Sequence, residues 1–314
     1  MKTQIFDSYK NLPQSAKGCV VVIGNFDGVH LGHQTLLSTA RKIADDLDKS
    51  LAVLTFEPHP RRLFRPDDPP FRLTTADLKA ERLQEAKVDY IYATPFDWDF
   101  ASLTAEQFID QVLRQELQPA HIVIGYDFCF GQLRKGTPET LKASRIPLTI
   151  VDKVADEGDD ALSSSAVRQA LRLGDIDRAN ELLGWNWEIR GTVVKGDQRG
   201  RELGFPTANV PLGEILHPSY GVYATWARIL EDGPDAPWLP SATNIGIRPM
   251  FALQVGQVET YIFDLNRDLY GKTLCVRPVK RLRGEAKFES LDTLVKQIAQ
   301  DCEDSRTILH AAIA

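Results

Sequence analysis

From Cys19 to about residue 184, short apolar runs without polar alternation take turns with stretches of helical period, and this alternation constrains the fold more than any other feature. The runs are Cys19–Gly24, Leu51–Phe56, Tyr90–Ala93, Ile122–Gly125 and Leu148–Val151, rich in Val and Ile. Between them Leu36, Ala40, Ile43 and Leu47 recur every three or four residues, and Phe108, Val112 and Leu117 can share one face of the stretch Leu103 to Leu117. A strand that is apolar on both faces needs cover on both, which helical crossovers supply in a parallel sheet. The first half therefore predicts a doubly wound, Rossmann-like α/β domain.

After Leu183-Gly184 the pattern changes. Trp187–Lys195, Thr207–Leu212, Gly221–Leu230, Ala242–Ile247, Val258–Leu265 and Thr273–Leu282 read as six strands, separated by turn clusters such as EDGPDAP with no helix-length insert. That spacing predicts an antiparallel six-stranded β-barrel or sandwich. Leu291, Leu294, Val295, Ile298 and Cys302 then mark a terminal helix, with Ser290 as its N-cap. Two domains, 1–184 and 185–314, suit a chain of 314 residues.

Composition narrows the class. With 37 basic against 43 acidic residues the formal charge is −6, which argues against a general nucleic-acid binder. No run approaches the roughly 18–20 apolar residues that span a bilayer, and MKTQIFDSYKNLPQ does not read as a signal peptide. Cys19, Cys129, Cys275 and Cys302 are scattered, which suits a reducing cytoplasm rather than a disulfide framework or a zinc ribbon.

The chemistry of the first half centres on VVVIGNFDGVHLGHQTLL, Val20–Leu37. A strand ends at Gly24, a turn through Asn25, Phe26 and Gly28 follows, and a helix begins near His33. Backbone N–H groups and a helix N-terminus there suit a nucleotide phosphate, and Gly32 lets it approach the backbone. His30 and His33 can donate hydrogen bonds to a phosphoryl group under attack. An H-x-x-H pair can also ligate zinc, but no further ligand cluster accompanies it, and two surface histidines are the commoner fate of such a pair.

The segment GNFDGVHLGH resembles the H-x-G-H signature of nucleotidyltransferases, in the form found in prokaryotic bifunctional riboflavin kinase/FAD synthetases. TFEPHP, IGYDFCFG and LSSSAVRQAL match that family in order, as do GDQRGRELGFPTANV, HPSYGVY, NIGIRPMF, DLYGKTL and RLRGEAKFESLDTLVKQI, so the resemblance spans nearly the whole chain. It implies flavin contacts from Pro58, His59, Pro60, Phe128 and Phe130, and nucleotide contacts from Asp127, Ser163, Ser164 and Arg168. Read without it, the prolines end a strand, the phenylalanines are core, and the serines cap a helix. Two positions depart from the family's text, Cys129 and Ala166 standing where Arg is usual, and each removes a positive charge near phosphates.

In the second half, Gly196, Gly200 and Gly204 lie in KGDQRGRELGFPTAN, where they allow N–H groups to point at phosphates. It is not a P-loop, and the Walker-like ending Gly271-Lys272-Thr273 lacks its upstream glycine, having Asn266 there. Thr207 and Asn209, two apart after Pro206, offer a hydroxyl and an amide oxygen suited to Mg²⁺. The resemblance makes PTAN the Mg-ATP segment, Glu259 the catalytic base of the kinase, and Arg283, Phe288 and Leu291 part of the region that closes over flavin. Met250 stands where the family usually has Thr, and Arg248 remains.

The expectation is an FMN adenylyltransferase domain followed by a riboflavin kinase domain, with ATP, riboflavin and FMN as substrates, Mg²⁺ as cofactor, and no nucleic-acid or membrane partner. The rivals are an enzyme with one decayed site, a flavin-binding protein without turnover, and a synthetase-like protein sharing H-x-G-H. Retained Glu259, Thr207, Asn209 and both histidines speak against mere binding, and the lack of a basic stretch against the last.

Overall fold

The computed structural model describes residues 3–153, 162–196, 199–250 and 253–311. The chain divides into two compact units, Met1–Asp68 with Ala76–Ser163, and Pro69–Thr75 with Ser164–Ala314.

The first unit is built on a six-stranded sheet of β1 (Gln4–Phe6), β2 (Val20–Ile23), β3 (Leu51–Phe56), β4 (Tyr90–Thr94), β5 (His121–Gly125) and β6 (Leu148–Val151). Every strand pairing in it is parallel, in the order β1-β4-β3-β2-β5-β6. Alternation explains why the central runs are so largely apolar. Val21, Ile23, Leu54 and Ile124 join one core, while Val20, Val22, Val53 and Val123 join the other, so both faces of the central strands β2, β3 and β5 are buried. The strand order reverses beside β2, with β3 on one side and β5 on the other, which places the ligand crevice of such a fold at the carboxyl ends of these strands. Helix α1 (Leu31–Asp46) follows β2 and buries Leu36, Leu37, Ala40 and Ala44. It begins at Leu31, two residues earlier than expected. The stretch Phe108–Leu117 winds as a π-helix, and its i→i+5 bonding suits apolar positions spaced four and five apart, with Phe108, Val112, Leu113 and Leu117 all buried.

The second unit holds the six expected strands, β7 (Ile189–Thr192), β8 (Ala208–Pro211), β9 (Gly221–Ile229), β10 (Leu239–Met250), β11 (Leu253–Ile262) and β12 (Thr273–Arg283). All ladder pairings are antiparallel, in the order β7-β12-β9-β10-β11-β8, and a bridge between Val194 and Asn209 brings the two ends together into a nearly closed barrel. Its interior is partly polar, and there Thr225, Ser241, Thr243 and Thr260 satisfy one another's hydroxyls at 2.7–3.1 Å. Two helices, α2 (Ser164–Leu173) and α3 (Ile176–Leu183), also belong to this unit, as α3 packs on β12 and the Ser219 N–H donates to the Leu171 carbonyl. The unit boundary thus falls at Ser163/Ser164, whereas the change of pattern near 185 marks where the barrel strands begin. The segment Pro69–Thr75 adds a short parallel bridge, Arg72 with Ile215. The terminal helix α4 (Leu291–Ala311) starts as expected after Ser290, whose hydroxyl accepts the Thr293 N–H.

Candidate active sites

The turn joining β2 to α1 is tightly built. Phe26, Gly28 and Val29 have φ of 53°, 84° and 39°, and Phe26 and Val29 are buried despite a backbone region that non-glycine residues seldom adopt. His30 is the N-cap of α1 and is 6 % exposed. The His30 and His33 rings stack at 3.7 Å between centroids, and Phe26 lies 5.0 Å from His33. A Cβ on Gly32 would stand 2.7 Å from the Leu162 carbonyl and 3.1 Å from His30 Nδ1, so glycine is required there by its neighbours. The same contact places the chain just before Ser163 against this turn. Gly24 is nearly as confined, with Phe26 3.2 Å from where its Cβ would be, while Asn25 is exposed. Among the described residues no group of three or more His, Cys, Asp and Glu could hold a metal ion.

Residues 57–60 follow β3, and residues 126–131 follow β5, at the same carboxyl edge. His59 is placed as a cap: its Nδ1 accepts the Arg61 N–H at 3.1 Å, and Pro60 opens the short helix Pro60–Phe64. Pro58 is exposed beside it. Phe128 and Phe130 stack at 5.7 Å, but Phe130 is buried against Phe108 and belongs to the core, leaving Phe128 as the half-buried ring. Asp127 is exposed. The sequence did not single out Phe64 and Trp98, exposed aromatic rings 5.8 Å apart that extend an aromatic group through Phe96 and Phe56. Their signal was an apolar residue left on short polar helices.

Helix α2 begins at Ser164 with Ser163 preceding it. Arg168 donates from Nε to the Phe71 carbonyl at 2.8 Å, and its guanidinium lies 5.7 Å from that ring, all within the second unit.

The barrel assembles the other candidates. Asn209 lies directly opposite Glu259 in the β8–β11 register, and Asn244 flanks Glu259 on the other side. Asn209 is buried; its Oδ1 accepts from Gln257 Nε2 at 2.6 Å and its Nδ2 donates to the Thr207 carbonyl at 3.2 Å. A Cβ on Gly196 would meet the Asn209 amide at 2.7 Å, and one on Gly200 would strike the Phe205 carbonyl. Gly196, Pro206, Thr207 and Asn209 line one wall of a cavity of about 510 Å³, with Thr260 and Ile262. Leu265–Tyr270 also line it, and of these the sequence had marked Asp268–Tyr270 as part of a matching segment. Glu259 is half-buried and does not line this cavity. The Lys272 N–H closes a turn on Leu269 and leads into β12, so the Gly271-Lys272-Thr273 ending is a strand entry. The side chains of Arg248 and Met250 lie outside the described residues.

Arg283 is a tie more than a free cation. Its Nε and Nη2 donate to Asp301 at 2.9 and 2.7 Å, and it lies 5.7 Å over the Phe288 ring. Leu291 is exposed at the start of α4.

Residues 12–166 match the FAD synthetase family model and residues 183–309 the riboflavin kinase model. The bifunctional riboflavin kinase/FMN adenylyltransferase of Escherichia coli (strain K12) is 41% identical over 296 residues, 93% of either chain. That of Bacillus subtilis (strain 168) is 37% identical over 294 residues, 91% of either chain. The Haemophilus influenzae protein of the same name is 37% identical over 311 residues, 98% of this chain and 100% of its own. A solved Streptococcus pneumoniae chain described as a macrolide-efflux protein superposes with a TM-score of 0.84 at 33% identity, covering 98% of this chain and 99% of that one. Among the described residues no helix is long and apolar enough to cross a membrane. Whole-length similarity and both family models agree: the chain belongs to the bifunctional riboflavin kinase/FMN adenylyltransferase family, enzymes that phosphorylate riboflavin to FMN and adenylate FMN to FAD.

Proposed function

We propose that the family's two activities divide between the two sites, riboflavin phosphorylation at Thr207, Asn209 and Glu259 in the barrel and adenylyl transfer at the turn carrying His30 and His33. The observation that carries the first assignment is the register of Glu259 opposite Asn209, which sets a carboxylate beside the amide of the expected metal-binding pair. Glu259 takes the proton of the riboflavin 5′-hydroxyl as that oxygen attacks the γ-phosphate of ATP, giving FMN and ADP. Thr207 and Asn209 fit Mg²⁺ as hard, neutral oxygen donors, and the Gly196 backbone leaves the room a side chain would fill. When bound, Mg²⁺ neutralises charge on the ATP phosphates. Gly196, Pro206 and Leu265–Tyr270 hold the nucleotide in the cavity, and Gly200 allows the tight approach of the loop to the Phe205 carbonyl.

At the other site the FMN phosphate attacks the α-phosphate of a second ATP and pyrophosphate leaves. His30, His33 and the first N–H groups of α1 donate to the oxygens where charge accumulates, with Gly24, Asn25, Phe26, Gly28 and Gly32 shaping the approach. Phe128, Pro58 and Pro60 wall the flavin ring, with Asp127 and Ser163 on the nucleotide side. The scattered cysteines, without a C-x-x-C pair, support a reducing cytoplasm as its place of work.

The test is to incubate the full chain with riboflavin, ATP and Mg²⁺ and separate the flavins. FAD should form through FMN. Glu259→Gln should stop FMN formation yet spare adenylation of supplied FMN, and His30→Ala with His33→Ala should do the reverse. Equal loss of both steps in either variant would overturn the division.

A further inference from the structure

We infer that Lys79 is a positioning residue for adenylyl transfer, its ammonium holding the turn after β2 in the conformation that aims His30 and His33. Lys79 stands on the helix Ala76–Glu85, four residues before the fully buried Leu83 and therefore on the face turned to the core, where it is 4 % exposed. It lies in the first unit, and the family signature motifs do not include it.

Its contacts converge on two motif segments. Nζ pairs with Glu57 Oε1 at 2.7 Å and donates to Thr55 Oγ1 at 3.1 Å, the Phe56 carbonyl at 3.3 Å and the Asn25 carbonyl at 3.4 Å. An ammonium is donor only, so the Thr55 hydroxyl accepts from Lys79 and donates its own hydrogen bond to the Asn25 carbonyl at 3.1 Å. The Asn25 carbonyl thus receives two donors, Thr55 at the end of β3 and Lys79 from the helix Ala76–Glu85. Asn25 is the residue before Phe26, where the backbone enters the left-handed region, and four residues later stands His30. Such a conformation persists only where its surroundings over-determine it.

A stability role does not account for the charge. A buried ion pair seldom outdoes an apolar residue of equal volume, and a methionine would fill this space. What the ammonium adds is directional: it joins the turn carrying the histidines to the β3 end that leads into residues 57–60. With Glu57 beside it, its charge is spent inside the protein, so it acts through the turn and not on a phosphate.

The inference rests on the assignment of adenylyl transfer to the His30–His33 turn, and the two fail separately. Unimpaired adenylation in His30→Ala with His33→Ala would remove that assignment, whereas the outcomes for Lys79 bear on the positioning alone. In the full chain, Lys79→Met should lower kcat for adenylation of FMN roughly 10- to 100-fold, as loss of a supporting group does. KM for ATP and FMN should stay within about twofold, since no substrate contact is removed. Riboflavin phosphorylation by the same preparation should not change. The double variant Glu57→Gln with Lys79→Met removes the stranded carboxylate and should still be slow. An unaltered kcat, a loss confined to KM, or recovery of kcat in the double variant would each overturn the inference. Should Lys79→Met not fold, Thr55→Val decides: several-fold loss of adenylation kcat supports the turn-holding role, and wild-type kcat overturns it.

Discussion

Glu259 faces Asn209 across the β8–β11 ladder, and the Asn209 amide is held from both sides, by Gln257 at 2.6 Å and by the Thr207 carbonyl at 3.2 Å. This fixes which way the amide points, because Oδ1 is already an acceptor and Nδ2 already a donor. One lone pair of Oδ1 stays available for a cation. Gly196→Ala inserts a methyl carbon 2.7 Å from the amide and must displace it. The Mg²⁺ concentration needed for half-maximal riboflavin phosphorylation should rise roughly tenfold, while adenylation of FMN keeps its rate. A metal titration of both steps checks this, and an unshifted Mg²⁺ dependence would take Asn209 out of the metal site.

The other site has its own steric gauge. At Gly32 an added Cβ meets the Leu162 carbonyl at 2.7 Å and His30 Nδ1 at 3.1 Å. A carbonyl on the main chain cannot rotate aside as a side chain can, so the turn must open. Gly32→Ala should therefore cost adenylation about 100-fold through misplacement of the donors, with riboflavin phosphorylation retained. Assaying each half-reaction with its own flavin separates the two effects.

The sheet strands were legible because burial on two faces keeps the central runs largely apolar, and the barrel strands because turn clusters bracket them. What escaped has identifiable causes. β1 is three residues long with Gln4 and Ile5 exposed, so neither length nor periodicity betrays it, and only pairing with β4 makes it a strand. The segment Pro69–Thr75 is tied by backbone groups to partners far along the chain. The Arg72 N–H donates to the Glu214 carbonyl and Trp187 Nε1 to the Leu73 carbonyl, and no local pattern encodes such bonds. Lys79 looks like any solvated lysine of a polar helix. The histidines and the PTAN segment were found because their chemistry is written in residue types at fixed spacing. His59 and Arg168 have tasks in the fold, a cap and a tie to Phe71, that residue type alone did not announce.

Acid should weaken the fold through two histidines. Burial holds His121 and His217 below the usual imidazole value, His217 while bonded to the Tyr220 hydroxyl at 2.8 Å. The unfolded chain takes up protons near the ordinary value of about 6.5, before the folded chain does. Below that pH the unfolded state binds more protons, so stability is full above it and declines as pH falls toward the folded values. The thermal midpoint should drop between pH 7 and pH 5.5 on this account, and His217→Gln should flatten part of the slope. A midpoint that rose on acidification over that window would contradict the sign.

The last prediction concerns Arg283, expected to meet flavin and found tied to Asp301. The Asp301 carboxylate is 6% exposed on its side chain and also accepts from Gln297 at 3.0 Å, so several donors together satisfy its oxygens. Arg283 closes that set from the end of β12 with two bonds, one per guanidinium nitrogen, a geometry that lysine cannot copy. Arg283→Met strands the carboxylate and should cost roughly 1–3 kcal/mol, read as a lower thermal midpoint and faster hydrogen exchange along α4. Asp301→Asn, which removes the charge and keeps the shape, should cost less. If Arg283 served flavin alone, the midpoint would hold and only KM for riboflavin would rise. A fall in the midpoint with KM unchanged assigns it to the fold, and a fall in both means that the anchored helix in turn shapes the flavin entrance, since Phe288 packs beneath the same guanidinium.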